Sequence, residues 1–243
     1  MPQLTGERTL PGVPQENYWF ARHVAAYRFA AARCRGLRVL DAGCGEGYGA
    51  AIMAESAAEV VGVELVADVA AHARAAYPDV GFVPADVCDL PLDDASFDAV
   101  VSLQVVEHLP DPGRFLAETA RVLRPGGQFV CATPNRLTFT PDTDTPVNVF
   151  HAREYDPGEL VGALAQGFAV DELLGVHHSR RLQTLERLLR YRFDRLLLER
   201  PARDWPRWLR RVVTAVRPGD FAVRAERIEA SLDLLAVATR RDA

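Results

Sequence analysis

The chain has 243 residues, with 28 basic and 33 acidic side chains and a formal charge of −5. Apolar residues make up 49% and charged residues 25%, values that exclude a disordered chain, and no apolar run approaches the roughly 18 residues of a membrane-spanning helix. The four cysteines, Cys34, Cys44, Cys88 and Cys131, form no CxxC pair, which excludes a disulfide scaffold or zinc knuckle; the opening MPQLTGERTLPG lacks a secretory apolar core, so a cytoplasmic protein is expected.

From about Glu16, aromatic residues at helical spacing (Tyr18, Trp19, Phe20, Tyr27, Phe29) predict a helix within an N-terminal helical lid, residues 1–35. Short apolar runs then alternate with helical stretches. Strands are predicted at Arg38–Asp41, Val60–Glu64, Gly81–Ala85, Phe97–Leu103 and Gln128–Thr133. Helices are predicted between them near Gly49–Ser56, Ala67–Ala76 and Asp111–Leu123, the last stopped by Arg124-Pro-Gly-Gly127. Residues 134–156, rich in Pro, Thr and Asp, form a loop long enough to suspect a substrate-binding role. A helix at Pro157–Gln166 and a strand at Phe168–Leu174 follow. Next comes an Arg-rich helical insertion, residues 178–228, with helical periodicity over Leu182–Leu198; between Arg180 and Arg227 it holds fourteen Arg against six acids. Every base in the chain is Arg, for which codon bias is the plain explanation. Leu232–Thr239 alternates as a last strand. The pattern predicts an α/β, Rossmann-like, seven-stranded, mostly parallel sheet with an antiparallel last strand and helices on both faces.

The segment Val39–Gly49, VLDAGCGEGYG, carries the most chemistry. A strand ends at Asp41, and a turn with Gly43, Gly45 and Gly47 leads into a helix, so the backbone can approach a ligand beyond the strand's carboxyl end. Glu64 ends the next strand, where a carboxylate can accept from both hydroxyls of a ribose. A dinucleotide site wants G-x-G-x-x-G; here the third dinucleotide position is Tyr48. Asp41, just before the glycines, would repel a pyrophosphate but suits the cationic amino-acid end of S-adenosylmethionine (SAM). Asp86, after the third strand, is placed for an adenine amino group.

The stretches VLDAGCGEGYG, VVGVEL, FVPADVCDLPLDDASFDAVVSLQVVEHL and RVLRPGGQFVCATPN resemble the class I SAM-dependent methyltransferases of the type 11 group, over roughly Arg38–Asn135. The resemblance implies a single methyltransferase domain over 1–243, cofactor contacts from Gly43 and Gly45, a ribose held by Glu64, an adenine flanked by Asp86 and Val87, and Gln104 near the methionine end. The cofactor-binding set expected from turn and resemblance together is Asp41, Gly43, Cys44, Gly45, Gly47, Tyr48, Glu64, Leu65, Asp86, Val87, Gln104 and Trp19. Segments at the ends of the chain and in the loop, ERTLPGVPQENYWFARH, TPNRLTFTPDTDTPVNVFHARE, HHSRRL and SLDLLAVATR, resemble a smaller actinobacterial group of sugar 1-O-methyltransferases in methylmannose polysaccharide biosynthesis. That implies a carbohydrate hydroxyl as acceptor, with a quinone, lipid or natural-product scaffold as the alternative.

A hydroxyl attacking a sulfonium methyl needs a proton acceptor, and His is suited by its pKa. His151 and His108 are the candidate bases; the plain alternatives are a loop-stabilising and a capping role. Asp144, Asn148, His177 and Tyr18 are the candidate substrate contacts, Tyr18 and Trp19 reading equally as core aromatics. Glu107, with Asp144 and Asp142, offers oxygen ligands for a possible Mg²⁺. A small sugar acceptor is the expected partner, without nucleic acid or stable membrane anchoring, and with a homodimer as a possible assembly. Rival readings are an inactive partner subunit and an Arg-rich nucleic-acid binder.

Overall fold

The computed structural model describes residues 9–141, 143, 145–189, 192–199 and 202–241. Asp142 and Asp144, expected at the substrate loop, lie outside the described residues.

Helix α1 (Asn17–Arg33) opens the described chain. Then come β1 (Arg38–Ala42), α2 (Tyr48–Ala54), β2 (Glu59–Glu64), α3 (Ala67–Ala76), β3 (Gly81–Pro84), β4 (Phe97–Leu103), α4 (Pro112–Val122) and β5 (Leu123–Pro134). The central strands are continuous apolar runs because both faces are covered: Val39, Leu40, Val100, Val101, Phe129 and Val130 have no exposed surface. A short helix α5 (Arg136–Phe139) interrupts the expected loop, and α6 (Pro157–Leu164) follows. Asp156 and Glu159 close a capping box at the start of α6. After β6 (Phe168–His178) the Arg-rich insertion holds α7 (Arg180–Leu189), α8 (Phe193–Glu199), α9 (Arg207–Ala215) and a strand, β7 (Phe221–Arg224). The chain ends on β8 (Asp233–Arg240).

The sheet has eight strands in the order β3-β2-β1-β4-β5-β8-β6-β7. Strands β1 to β6 run one way; β8 is antiparallel to both β5 and β6, and β7 is antiparallel to β6. The antiparallel last strand was expected; β7 was not, and it makes the sheet eight-stranded rather than seven-stranded. The Arg-Pro-Gly-Gly turn sits inside β5, where pairing shifts from Phe97↔Leu123 to Ala99↔Gln128, a bulge rather than a separate connection. The periodic stretch Leu182–Leu198 is two helices, not one.

Apolar cores fill both faces of the sheet. One joins α1 and α2 to Leu182, Phe193, Leu209 and Val213 of the insertion. The other lies under α4 and α6, with Phe115, Phe129, Leu160 and Phe168. Strand order reverses between β1 and its neighbours β2 and β4, so a crevice opens at their carboxyl ends. No described helix is long and apolar enough to cross a membrane.

Candidate active site

The glycine turn is built by backbone geometry. Gly43, Gly45 and Gly47 all have positive φ. A Cβ on Gly43 would stand 2.4 Å from Val105, whereas one on Gly45 would meet nothing within 4 Å, so that peptide faces the open crevice. The amides of Gly43 and Cys44 both donate to the Val63 carbonyl at 2.9 Å, tying the turn to β2. Cys44 contributes through its backbone; its side chain is buried.

Acidic groups line the crevice. Asp41 is wholly buried. The Tyr27 hydroxyl donates to its Oδ1 at 3.2 Å, while Oδ2 has no partner among the described residues. Burial pushes the Asp41 carboxyl up to about 7; the Tyr27 hydrogen bond opposes that rise and the Glu64 charge adds to it. Glu64, at the end of β2, accepts from the Gly45 amide at 3.2 Å and the Val66 amide at 3.0 Å. Each oxygen so fixed keeps lone pairs for further donors. Leu65, the next residue, is 68% exposed, an apolar side chain left over the crevice. Asp86 is exposed, its Oδ1 held by the Cys88 amide at 2.8 Å, and Val87 is buried beside it. Gln104 leaves β4 with φ +60, an uncommon backbone for a residue other than Gly. These residues lie at the carboxyl ends of β1, β2, β3 and β4, on one rim of the sheet. Tyr48 stands under the turn instead, edge-on to Phe20 and Tyr27, its hydroxyl 3.0 Å from His23 Nδ1. Burial next to Arg22 pushes His23 down to about 3.

The substrate loop folds back over the end of β4. The amides of Ala152 and Arg153 donate to the Glu107 carbonyl at 2.7 and 3.1 Å. His151 is nearly buried, its side chain 4% exposed. Its Nδ1 lies 2.9 Å from Glu154 Oε1 and must carry the proton, because a carboxylate only accepts. Nε2 is then the basic nitrogen, 3.0 Å from Asn148 Nδ2. The ring stacks on Phe139 and meets His108 edge-on, with centroids 5.6 and 5.0 Å apart. His108 Nδ1 donates to the Phe150 carbonyl at 2.9 Å. Glu107 is wholly buried; Oε2 accepts from the Thr133 hydroxyl at 2.9 Å, and Oε1 has no partner among the described residues. Burial pushes the Glu107 carboxyl up to about 8, with the Asp233 and Glu154 charges adding to the rise.

Ligand atoms of Glu107, His108 and His151 lie within 4.8 Å of one another. One carboxylate and two imidazoles are not the oxygen-rich set that Mg²⁺ takes. The expected Mg²⁺ does not fit the described residues, and Asp144, its other expected ligand, lies outside them.

Two expected substrate contacts change role. Tyr18 has no exposed surface, and its hydroxyl donates to His178 Nε2 at 2.7 Å; it joins α1 to the insertion rather than touching a ligand. His177 is buried at the end of β6, away from His151, in a second cavity. Trp19 is partly buried, edge-on to Tyr18 and to Phe139, so α1 is a packed layer with one aromatic turned toward the loop. Sequence reading missed Arg22 and Asp233. Arg22 Nε donates to Asp233 Oδ2 at 2.6 Å, its Nη2 donates to the Leu232 carbonyl at 2.9 Å, and Gln104 Nε2 donates to Asp233 Oδ1 at 3.2 Å. It also missed Glu154, legible as an acid three residues after His151.

The raised Asp41 pKa predicts a pH effect on the ligand-free chain. The folded carboxyl holds its proton to about 7 against an ordinary 3.8. Its contribution to stability is therefore full below about 4 and lost as pH rises through 7. Asp41→Asn removes that dependence. Thermal melts should show the difference in Tm, variant minus wild type, moving upward between pH 5 and pH 8; an equal difference at both values contradicts the assignment.

Comparisons with known proteins agree with this geometry. A family model for a methyltransferase domain matches residues 40–131. A probable S-adenosylmethionine-dependent methyltransferase of Mycolicibacterium smegmatis is 47% identical, over 98% of this chain and 95% of its own. A ubiquinone biosynthesis O-methyltransferase of Caulobacter sp. is 40% identical over 42% of each chain. The solved structure of a SAM-dependent methyltransferase of Thermotoga maritima shares the fold, with a TM-score of 0.64 over 92% of this chain and 93% of that one, at 20% identity. With the acid–glycine turn, the carboxylate at the end of β2 and a relative matching end to end, the chain belongs to the class I S-adenosylmethionine-dependent methyltransferases.

Proposed function

We propose that this methyltransferase acts on oxygen, and that its acceptor is a carbohydrate hydroxyl, the 1-OH of a short partly methylated mannoside in polymethylated polysaccharide synthesis. The observation that carries the reading is the buried His151–Glu154 pair, whose carboxylate residue lines a polar cavity. That cavity holds about 240 Å³ and is lined by Arg136, Thr140, Thr143, Arg153, Glu154 and Glu159, with Pro146 and Ala152 as its apolar members. Hydroxyl-rich ligands suit such a lining; a long acyl chain or a prenyl tail does not.

SAM, when bound, supplies a methyl group made electrophilic by its sulfonium. Asp41 offers its unpartnered oxygen to the amino group, Glu64 its remaining lone pairs to the ribose, and Leu65 an apolar surface to the adenine. His151 Nε2, on exchanging its Asn148 Nδ2 hydrogen bond for the acceptor hydroxyl, takes the acceptor's proton, and Glu154, hydrogen-bonded to Nδ1, stabilises the imidazolium so formed. The loop that carries His151 closes over the rim and limits water.

A quinone, lipid or natural-product acceptor is the second reading. The exposed Val147, Val149 and Phe150 on the same loop favour it, as does the partial match to a ubiquinone biosynthesis enzyme. One assay separates the two: methyl transfer from SAM to defined mannosides, glucosides, small phenols and fatty acids. Mannosides should turn over fastest. Glu64→Ala in the same assay should need at least about tenfold more SAM, from the loss of charge-assisted hydrogen bonds of about 1.5–3 kcal/mol. Preference for phenols or fatty acids overturns the sugar reading, and unchanged SAM affinity overturns the role of Glu64.

A further inference from the structure

The Arg-rich insertion lines much of a second, open cavity of about 330 Å³, at the small end of the range for small-molecule sites. It lies at the carboxyl end of β6, on the same rim as the methyl-transfer site but across β8 from it. Four guanidinium groups, from Arg187, Arg192, Arg224 and Arg227, meet there with the imidazoles of His177 and His178. The opposing carboxylates are Glu186 and Glu226. Glu186 is engaged, with Oε1 accepting from His178 Nδ1 at 3.1 Å and from the Phe193 amide at 3.0 Å.

Three of the four guanidinium groups are less engaged. The guanidinium groups of Arg187 and Arg227 make no hydrogen bond or ion pair among the described residues. Arg224 reaches the His178 carbonyl at 3.5 Å. His177 is buried to 7% exposure, and its Nε2 has no partner among the described residues. The turn that carries Arg227 is held in place: Asn135 Nδ2 donates to the carbonyls of Ile228, Glu229 and Ser231 at 3.0–3.3 Å. Guanidinium forks match the oxygens of a phosphoryl group in pairs, and a concave site concentrates their field.

We infer that this cavity binds the phosphoryl group of a small anionic ligand, through Arg187, Arg224, Arg227 and the imidazole of His177. The site stands apart from the choice of methyl acceptor and needs no change in the cofactor crevice. Arg187 and Arg227 are exposed, so their replacement leaves the packed core intact.

The test is calorimetric titration of inorganic phosphate into the full chain at low ionic strength, with chloride at matched ionic strength as the control. Phosphate should bind saturably, and Arg187→Gln/Arg227→Gln should weaken it at least about tenfold, with SAM affinity unchanged. Arg187→Lys, which keeps the charge and loses the fork, should fall between. Sedimentation with phosphatidylcholine vesicles, with and without phosphatidic acid, tells a lipid headgroup from a soluble source. Absence of saturable phosphate binding, or equal binding by the folded double variant, overturns the site.

Discussion

His151→Ala should lower turnover by about 10²–10⁴, the usual weight of a positioned general base, with SAM affinity little changed. Two imidazoles stand at the rim, and their partners decide between them. His108 Nδ1 donates to a neutral carbonyl, that of Phe150. His151 Nδ1 donates to the buried carboxylate of Glu154. A carboxylate stabilises the imidazolium that forms when the base takes a proton; a carbonyl does so far less. Phe139 and His108 also hold the His151 ring from two sides, so its orientation is fixed before the acceptor arrives. His108→Ala should therefore be the milder change. Glu154→Gln, which keeps the shape and removes the charge, should lower kcat more than it raises KM. Rate measurements under saturating SAM check all three. The reverse order between the two His variants would make His108 the base, and full activity in both would leave the proton to Glu107.

Arg22→Met should cost about 3–5 kcal/mol, because it leaves a carboxylate buried without its cation. At roughly 2–4 °C per kcal/mol for a chain of this size, Tm should fall by about 6–20 °C. Both side chains of the pair are 2% exposed. The contact ties α1 to the first residue of β8, and Gln104 binds the same carboxylate from the end of β4. The loss should therefore reach the cofactor crevice as well as the fold. Arg22→Met/Asp233→Leu should recover much of the stability, since an apolar pair of similar volume avoids the desolvation penalty. Thermal melts of wild type, single and double variants measure it; a single-variant loss below about 1 kcal/mol, the worth of an exposed pair, contradicts the assignment.

The sheet's central strands were legible because burial on both faces writes their middles as apolar runs, as in Val39–Leu40 and Ala99–Val101. The crevice was legible because Asp41, Gly45, Glu64 and Asp86 sit at the ends of those runs and turn chemistry is local. Strand β7 was not, since FAVR is four residues inside a basic segment and pairs only through β6. Nor was the break between α7 and α8, because apolar periodicity runs through it. Arg22 and Asp233 are 211 residues apart, and nothing local to either announces the other. Tyr18 read equally as a substrate contact and as a core aromatic because its partner, His178, lies 160 residues away. His151 was legible as a candidate base, but its strongest credential, the neighbouring Glu154, needed the fold to show that both are buried together.

The most direct measurement is a crystal structure with S-adenosylhomocysteine bound. Its sulfur should face the His151 side of the rim, with room for one acceptor oxygen about 2.6–3.2 Å from His151 Nε2 and about 3–3.5 Å from the site of the methyl. Glu64 should hold both ribose hydroxyls in the same structure. A sulfur separated from His151, His108 and Glu107 by more than about two hydrogen-bonded shells, beyond the reach of a general base, would contradict the account of hydroxyl activation while leaving the methyltransferase fold in place.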